Sequence, residues 1–154
     1  MSSNLRGKKV VVFGGNGFIG SHLVNHLCEE ACEVKIVTKQ KKPKKKIFFA
    51  SEPGQVSFEE IVYEQSAINK AICDYDIVFN LVGILAENKT SKFKFVHTEI
   101  PRMIAKSVNL NKVKSYIHVS ALNVDIIKDS KYALSKYNGA VSYTHLRAHE
   151  TRSY

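Results

Sequence analysis

Short unbroken apolar runs alternate along this chain with longer segments whose apolar residues recur every third or fourth position. A short apolar run bounded by turn residues reads as a buried strand, and a 3.6-residue period reads as a helix packed on one face. Val10 to Phe13 is such a run. Phe18, Ile19, Leu23, Val24 and Leu27 then recur at helical spacing, which predicts an amphipathic helix from Phe18 to about Ala31. Glu33 to Thr38 reads as a second strand. Ile47 to Ala50 and Phe58 to Tyr63 are candidate strands, and Ala67 to Cys73 a short helix. Asp76 to Val82 is a buried strand ended by Gly83. Phe93 to Asn109 is helical in pattern, and Pro101 either kinks that helix or marks its start. Ser115 to Val119 is a further strand, and Lys131 to Gly139 opens a further helix. Strands alternating with helices, without internal repeats, predict an α/β fold: a doubly wound parallel sheet with helices on both faces.

The first strand breaks abruptly into Gly14, Gly17 and Gly20 within the stretch K-K-V-V-V-F-G-G-N-G-F-I-G, from Lys8 to Gly20. Gly14 permits the tight turn at the end of the strand. At Gly17 a side chain would obstruct the backbone's approach to a bulky anionic ligand, and Gly20 lets the following helix pack closely on the strand. The amides of Phe18 and Ile19 open that helix unpaired, at the positive end of its dipole, and suit a pyrophosphate. A strand before the glycines and an amphipathic helix after them turn a weak motif into a strong one.

Composition narrows the class. The 154 residues, 44% hydrophobic and 24% charged, suit one globular domain. No apolar run approaches the roughly 20 residues that a membrane-spanning helix requires. The N-terminus enters the first strand directly and leaves no room for a secretory or transit peptide, which gives the expectation of a cytoplasmic protein. Cys28, Cys32 and Cys73 show no metal-ligand clustering; Cys28 and Cys32, one helical turn apart, are expected to be packed thiols, in a reducing compartment and without a metal. The net charge of +9 is concentrated, with six of the eight residues from Lys39 to Lys46 being lysine. That run is either a solvated loop or a contact for phosphate, anionic lipid or nucleic acid. The absence of interleaved aromatic residues argues against a nucleic-acid partner.

Two further groups fall where a parallel sheet would deliver them to the glycine turn, since ligands bind at the edge where all the strands end. Asn80 to Gly83 (N-L-V-G), with Val82 and Gly83 at its end, closes one strand there, and Ser120 closes the next. Tyr132 and Lys136 follow, one helical turn apart on a shared face. A lysine ammonium beside a tyrosine favours the phenolate and brings its pKa towards working pH. Ser120 is placed to orient or polarise a carbonyl oxygen.

The glycine pattern, N-L-V-G and Y-x-x-x-K resemble the short-chain dehydrogenase/reductase superfamily. V-F-N-L-V-G-I-L, F-V-H-T-E-I-P-R-M-I-A and I-H-V-S-A-L-N-V-D are similar to its atypical branch, which includes the nucleotide-binding accessory subunit of respiratory complex I and its bacterial relatives. The resemblance runs from about Lys8 to Gly139. It implies a Rossmann-like sheet, a nicotinamide dinucleotide partner, and cofactor-binding roles for Gly14, Gly17, Gly20, Tyr132 and Lys136. It further implies a structural or assembly role beside a respiratory membrane complex, peripheral on the inner membrane, where the lysine run would meet an anionic surface. The alternative is an active NAD(P)-dependent reductase, dehydrogenase or sugar-nucleotide epimerase using Ser120, Tyr132 and Lys136. The acid expected at the end of the second strand for NAD is replaced by Thr38 and Lys39. Lys39 matches the basic residue of NADP-binding relatives, so NADP(H) is expected in preference to NAD(H). The acid that many relatives place after the third strand is replaced by Ile61.

From Ala140 the pattern changes. The apolar period of the last helix is lost, and Thr144, His145, Arg147, His149 and Glu150 offer no sustained apolar face. Back-translated, Ala140 to Thr151 can be read as a transposase sequencing adapter. The expectation is an incomplete NAD(P)-binding Rossmann domain over residues 1–139, truncated at its C-terminus, followed by read-through over 140–154.

Overall fold

The structure, a computed structural model, describes residues 5–39, 51–127 and 129–142. Five strands, β1 (Lys9–Phe13), β2 (Glu33–Thr38), β3 (Val56–Glu60), β4 (Ile77–Asn80) and β5 (Ser115–His118), form one sheet in the order β3-β2-β1-β4-β5. All four pairings are parallel, with Phe13 in register with Val37 on one side and Asn80 on the other. The chain winds outward from β1 in one direction, then returns to wind outward in the other. The crevice of such a sheet lies at the carboxyl ends of β1 and its two neighbours.

Helices α1 (Phe18–Glu29), α2 (Gln65–Ile72), α3 (Ile100–Leu110) and α4 (Lys131–Val141) accompany it. Val11, Phe13, Val37 and Val78 meet Ile68 and Ile72 of α2 and Ile100 and Ile104 of α3 on one face. Val10, Val12, Val34 and Ile36 meet Val24 and Leu27 of α1 on the other. Val10, Val11, Val12 and Phe13 are consequently all 0% exposed, which is why β1 reads as a continuous apolar run and not an alternating one.

Several boundaries differ from the sequence pattern. The buried stripe of α1 is Gly20, Val24, Leu27 and Cys28, while Phe18 is 80% and Ile19 60% exposed. The first turn of α1 therefore serves the glycine turn through its backbone and not the core through its side chains. The third strand starts earlier than expected, at Val56. It is an edge strand whose Glu59 pairs with Lys35 at 2.8 Å, and edge exposure blurs its apolar signal. Helical backbone runs without a break from Phe93 through a π-helical stretch over Phe95–Glu99 into α3, so the helix starts where the pattern placed it and Pro101 falls in the first α-helical turn after the π stretch. Helix α4 continues past Gly139 to Val141. The candidate strand at Ile47 to Ala50, the lysine run beyond Lys39 and the expected read-through beyond residue 142 lie outside the described residues.

Two glycines permit backbone-on-backbone packing. A Cβ on Gly20 would collide with the Gly14 carbonyl oxygen and come within 2.7 Å of Gly15 Cα, and one on Gly139 would collide with the His97 carbonyl. Neither obstacle is a flexible side chain. Gly20→Ala is accordingly expected to destabilise the fold by about 1–3 kcal/mol, as overpacking does. The check is a fall in the urea midpoint at unchanged slope; an unaltered midpoint would show that the turn yields.

Candidate functional site

A cleft of about 680 Å³ opens beside the glycine turn. Gly14 and Gly17 form its floor, with Thr38 and Lys39 at the end of β2 and Leu81 to Ile84 after β4. Residues Glu60 to Tyr63, following β3, and Thr90 and Ser91 complete the walls. Gly14 has φ +80°, a conformation that favours glycine, and a Cβ there would stand 2.9 Å from the Leu81 carbonyl carbon. Gly17 donates its amide to the Gly14 carbonyl at 3.0 Å and caps α1. Gly17 offers no side-chain cap and no acid lies in the first turn of α1, which leaves the leading amides of Phe18 and Ile19 suited to an anionic ligand.

The sequence candidates divide between this cleft and its flank. Gly14, Gly17, Lys39, Val82 and Gly83 line it, whereas Phe18, Ile19 and Gly20 contribute the backbone that supports the turn. Val82 donates its amide to Asn80 Oδ1 at 3.1 Å, so that amide is spent inside the protein. Lys136 reaches the same wall from α4, its Nζ lying 3.1 Å from where a Gly83 Cβ would be. It is 7% exposed, makes no hydrogen bond or ion pair among the described residues, and has its pKa lowered by burial. Ser120 stands two residues beyond β5, with a buried Oγ that lacks a hydrogen-bond partner among the described residues. Tyr132 is half-buried, its ring edge-on to His97 at 5.4 Å and to Phe93 at 5.8 Å.

These features fit a dinucleotide. The glycine turn admits close approach, α1 starts at it with a backbone cap residue alone, and the Lys136 ammonium and Ser120 hydroxyl, without partners among the described residues, would find them in sugar hydroxyls. No group of three or more potential metal ligands occurs among the described residues.

Sequence reasoning missed the polar residues that hold this geometry. Ser135 donates its hydroxyl to the Tyr132 carbonyl at 2.7 Å, so His97 Nδ1, 2.9 Å away, donates to Ser135 Oγ. His97 Nε2 accepts from the Ile84 amide at 3.1 Å, which makes the ring neutral and leaves one tautomer. Asn80, whose Oδ1 holds the Val82 amide, donates through Nδ2 to His118 Nδ1 at 3.0 Å. One signal was present: His97 falls on the stripe with Ile100 and Ile104, and His118 and Asn80 interrupt apolar strands. A polar residue in a buried register requires a partner. The acid missing at Ile61 has a neighbour in Glu60, in register with Thr38 and lining the cleft.

A parallel sheet in this strand order, with a glycine turn after its central strand and a cleft at the switch point, defines a Rossmann-type α/β protein. Residues 10–126 match the model of the NAD dependent epimerase/dehydratase family, and the chain belongs to that family. It is 30% identical over 138 residues to the mitochondrial NADH-ubiquinone oxidoreductase 40 kDa subunit of Neurospora crassa, covering 89% of this chain and 37% of that protein. It is 32% identical over 139 residues to the mouse mitochondrial NADH dehydrogenase [ubiquinone] 1 alpha subcomplex subunit 9, with the same coverage of 89% and 37%. The chain thus spans about 37% of the length of these relatives. The fold is shared with the Bordetella bronchiseptica enzyme WbmH, solved in complex with NAD+, at a TM-score of 0.76 and 18% identity over 91% of this chain and 53% of that one.

Burial, followed by the Lys136 ammonium, lowers the pKa of both His97 and His118 from 6.5 to about 4. For a base this means that the unfolded chain binds more protons between those values. Their stabilisation is complete above about pH 6.5 and is lost as pH falls towards about 4. Urea midpoints should therefore drop between about pH 7 and 5, and His118→Gln should reduce proton uptake on unfolding by about one. Midpoints independent of pH in that window would contradict buried neutral imidazoles.

Proposed function

We propose that this chain is the nucleotide-binding part of an NADP(H)-binding protein that serves as a structural or assembly partner of a respiratory membrane complex. The observation that carries the nucleotide reading is the close approach of Gly14 to the Leu81 backbone beneath a cleft flanked by Lys136, which has no partner among the described residues. Lys39, lining the cleft at the end of β2, supports NADP(H) in preference to NAD(H), because its ammonium would meet an adenosine 2′-phosphate. Likeness to the respiratory subunits of Neurospora and mouse supports the assembly role. The attachment proposed is peripheral; no helix among the described residues is long and apolar enough to cross a membrane.

In this reading the turn's amides and the helix start hold the pyrophosphate, while Lys136 and Tyr132 engage the ribose beside the nicotinamide. A second reading, an active reductase, dehydrogenase or epimerase, is favoured by the presence of Ser120, Tyr132 and Lys136 together. A bound dinucleotide would supply hydride transfer. Ser120 would then polarise the substrate oxygen, and Tyr132 would exchange its proton with that oxygen, helped by the Lys136 charge.

Calorimetric titration is expected to show NADPH binding at least about tenfold more tightly than NADH, or about 1.4 kcal/mol, with Lys39→Ala erasing the difference. A tenfold preference for NADH would sink the Lys39 assignment. Gly17→Val should abolish binding of both. In the full-length protein, Tyr132→Phe should leave complex assembly intact if the role is structural. Turnover that Tyr132→Phe removes, with cofactor still bound, would instead establish the enzymatic reading.

A further inference from the structure

We propose that Ser91 is a second donor to the 2′-phosphate and so helps to select the dinucleotide, an inference that rests on the NADP(H) reading above. Lys39 Nζ lies 3.2 Å from Ser91 Oγ, a contact between residues 52 apart in sequence. It joins the end of β2 to the segment that follows β4, two walls of the same cleft. An ammonium has no acceptor lone pair, so Ser91 Oγ accepts in this contact and its own proton must be given elsewhere. No described residue takes that proton. Ser91 is 4% exposed, and a buried hydroxyl proton without an acceptor calls for one.

The hydroxyl is held in place by its own turn. Asn88 Oδ1 accepts from the amides of Ser91 at 2.7 Å and Thr90 at 2.9 Å, and from Thr90 Oγ1 at 3.1 Å. The Asn88 amide donates back to the Ser91 carbonyl at 3.1 Å, and Phe93 is tied to Glu87 Oε1 at 2.8 Å. Ser91 therefore stands on a braced segment and needs little ordering when a ligand arrives. Charge also fits an anion. Glu60 is the acid in the cleft lining, it is exposed, and Lys39 has no ion pair among the described residues. A phosphate monoester would accept from the ammonium and the hydroxyl together. A bare ribose hydroxyl offers Lys39 no charge and Ser91 only a neutral partner.

The test is titration of adenosine 2′,5′-bisphosphate, adenosine 5′-monophosphate and inorganic phosphate into wild type, Ser91→Ala, Ser91→Thr and Lys39→Ala. Ser91→Ala should weaken the bisphosphate about tenfold and leave the monophosphate within about twofold. Ser91→Thr, which keeps the hydroxyl, should restore most of the loss. Competition by inorganic phosphate against the bisphosphate alone would support an anion site at this position. If Ser91→Ala weakens both nucleotides equally, or neither, Ser91 is only part of the wall and the inference is overturned. Wild type that prefers the monophosphate overturns the NADP(H) reading itself, and Ser91 loses its role with it.

Discussion

The site depends on one carbonyl oxygen. Gly14 O accepts the Gly17 amide at 3.0 Å and lies where a Cβ on Gly20 would have to be. The turn can close only if residue 20 is bare where it meets the Gly14 carbonyl and residue 14 is bare against Leu81. Closing it aims the start of α1 at the cleft and brings Gly14 against Leu81, so that β1 and β4 form one continuous wall. Strand order does the rest. With β1 central, the two halves of the sheet diverge at its carboxyl end, and the cleft lies where they part.

A second set of constraints fixes α4 against that wall. Its Gly139 meets the His97 carbonyl, and Ser135 links the His97 ring to the Tyr132 backbone. His97 in turn holds the Ile84 amide, one residue beyond Gly83. Tyr132 and Lys136 are therefore positioned by a buried polar network that includes the cleft wall and not by α4 alone. Such a network is favourable when fully satisfied, and both His97 nitrogens are satisfied here. Lys136 is the exception: among the described residues its buried ammonium has no partner, which is costly, and this cost falls at the place where a ligand would relieve it.

The central elements were legible because each buries both faces or carries a motif of fixed geometry. β1, β2 and the glycine turn needed only local pattern, and Tyr132 and Lys136 needed only helical spacing. β3 was harder to read because an edge strand with Glu59 and Glu60 has no apolar run to show. Phe18 misled by being apolar at helical spacing, although it stands on the first turn of α1 and is exposed. The Lys39–Ser91 contact, like the links from His97 to Ile84 and Ser135, joins residues distant in sequence. Their pairing follows from topology, which periodicity does not encode.

The most direct measurement is an amide chemical-shift map of isotopically labelled protein on addition of NADPH. The glycine turn should respond first, at Gly14, Gly17, Phe18 and Ile19, with Gly83, Ile84 and Ser91 following along the cleft. Shifts confined to surfaces away from these residues, or no shifts at saturating nucleotide, would contradict a dinucleotide site at the switch point.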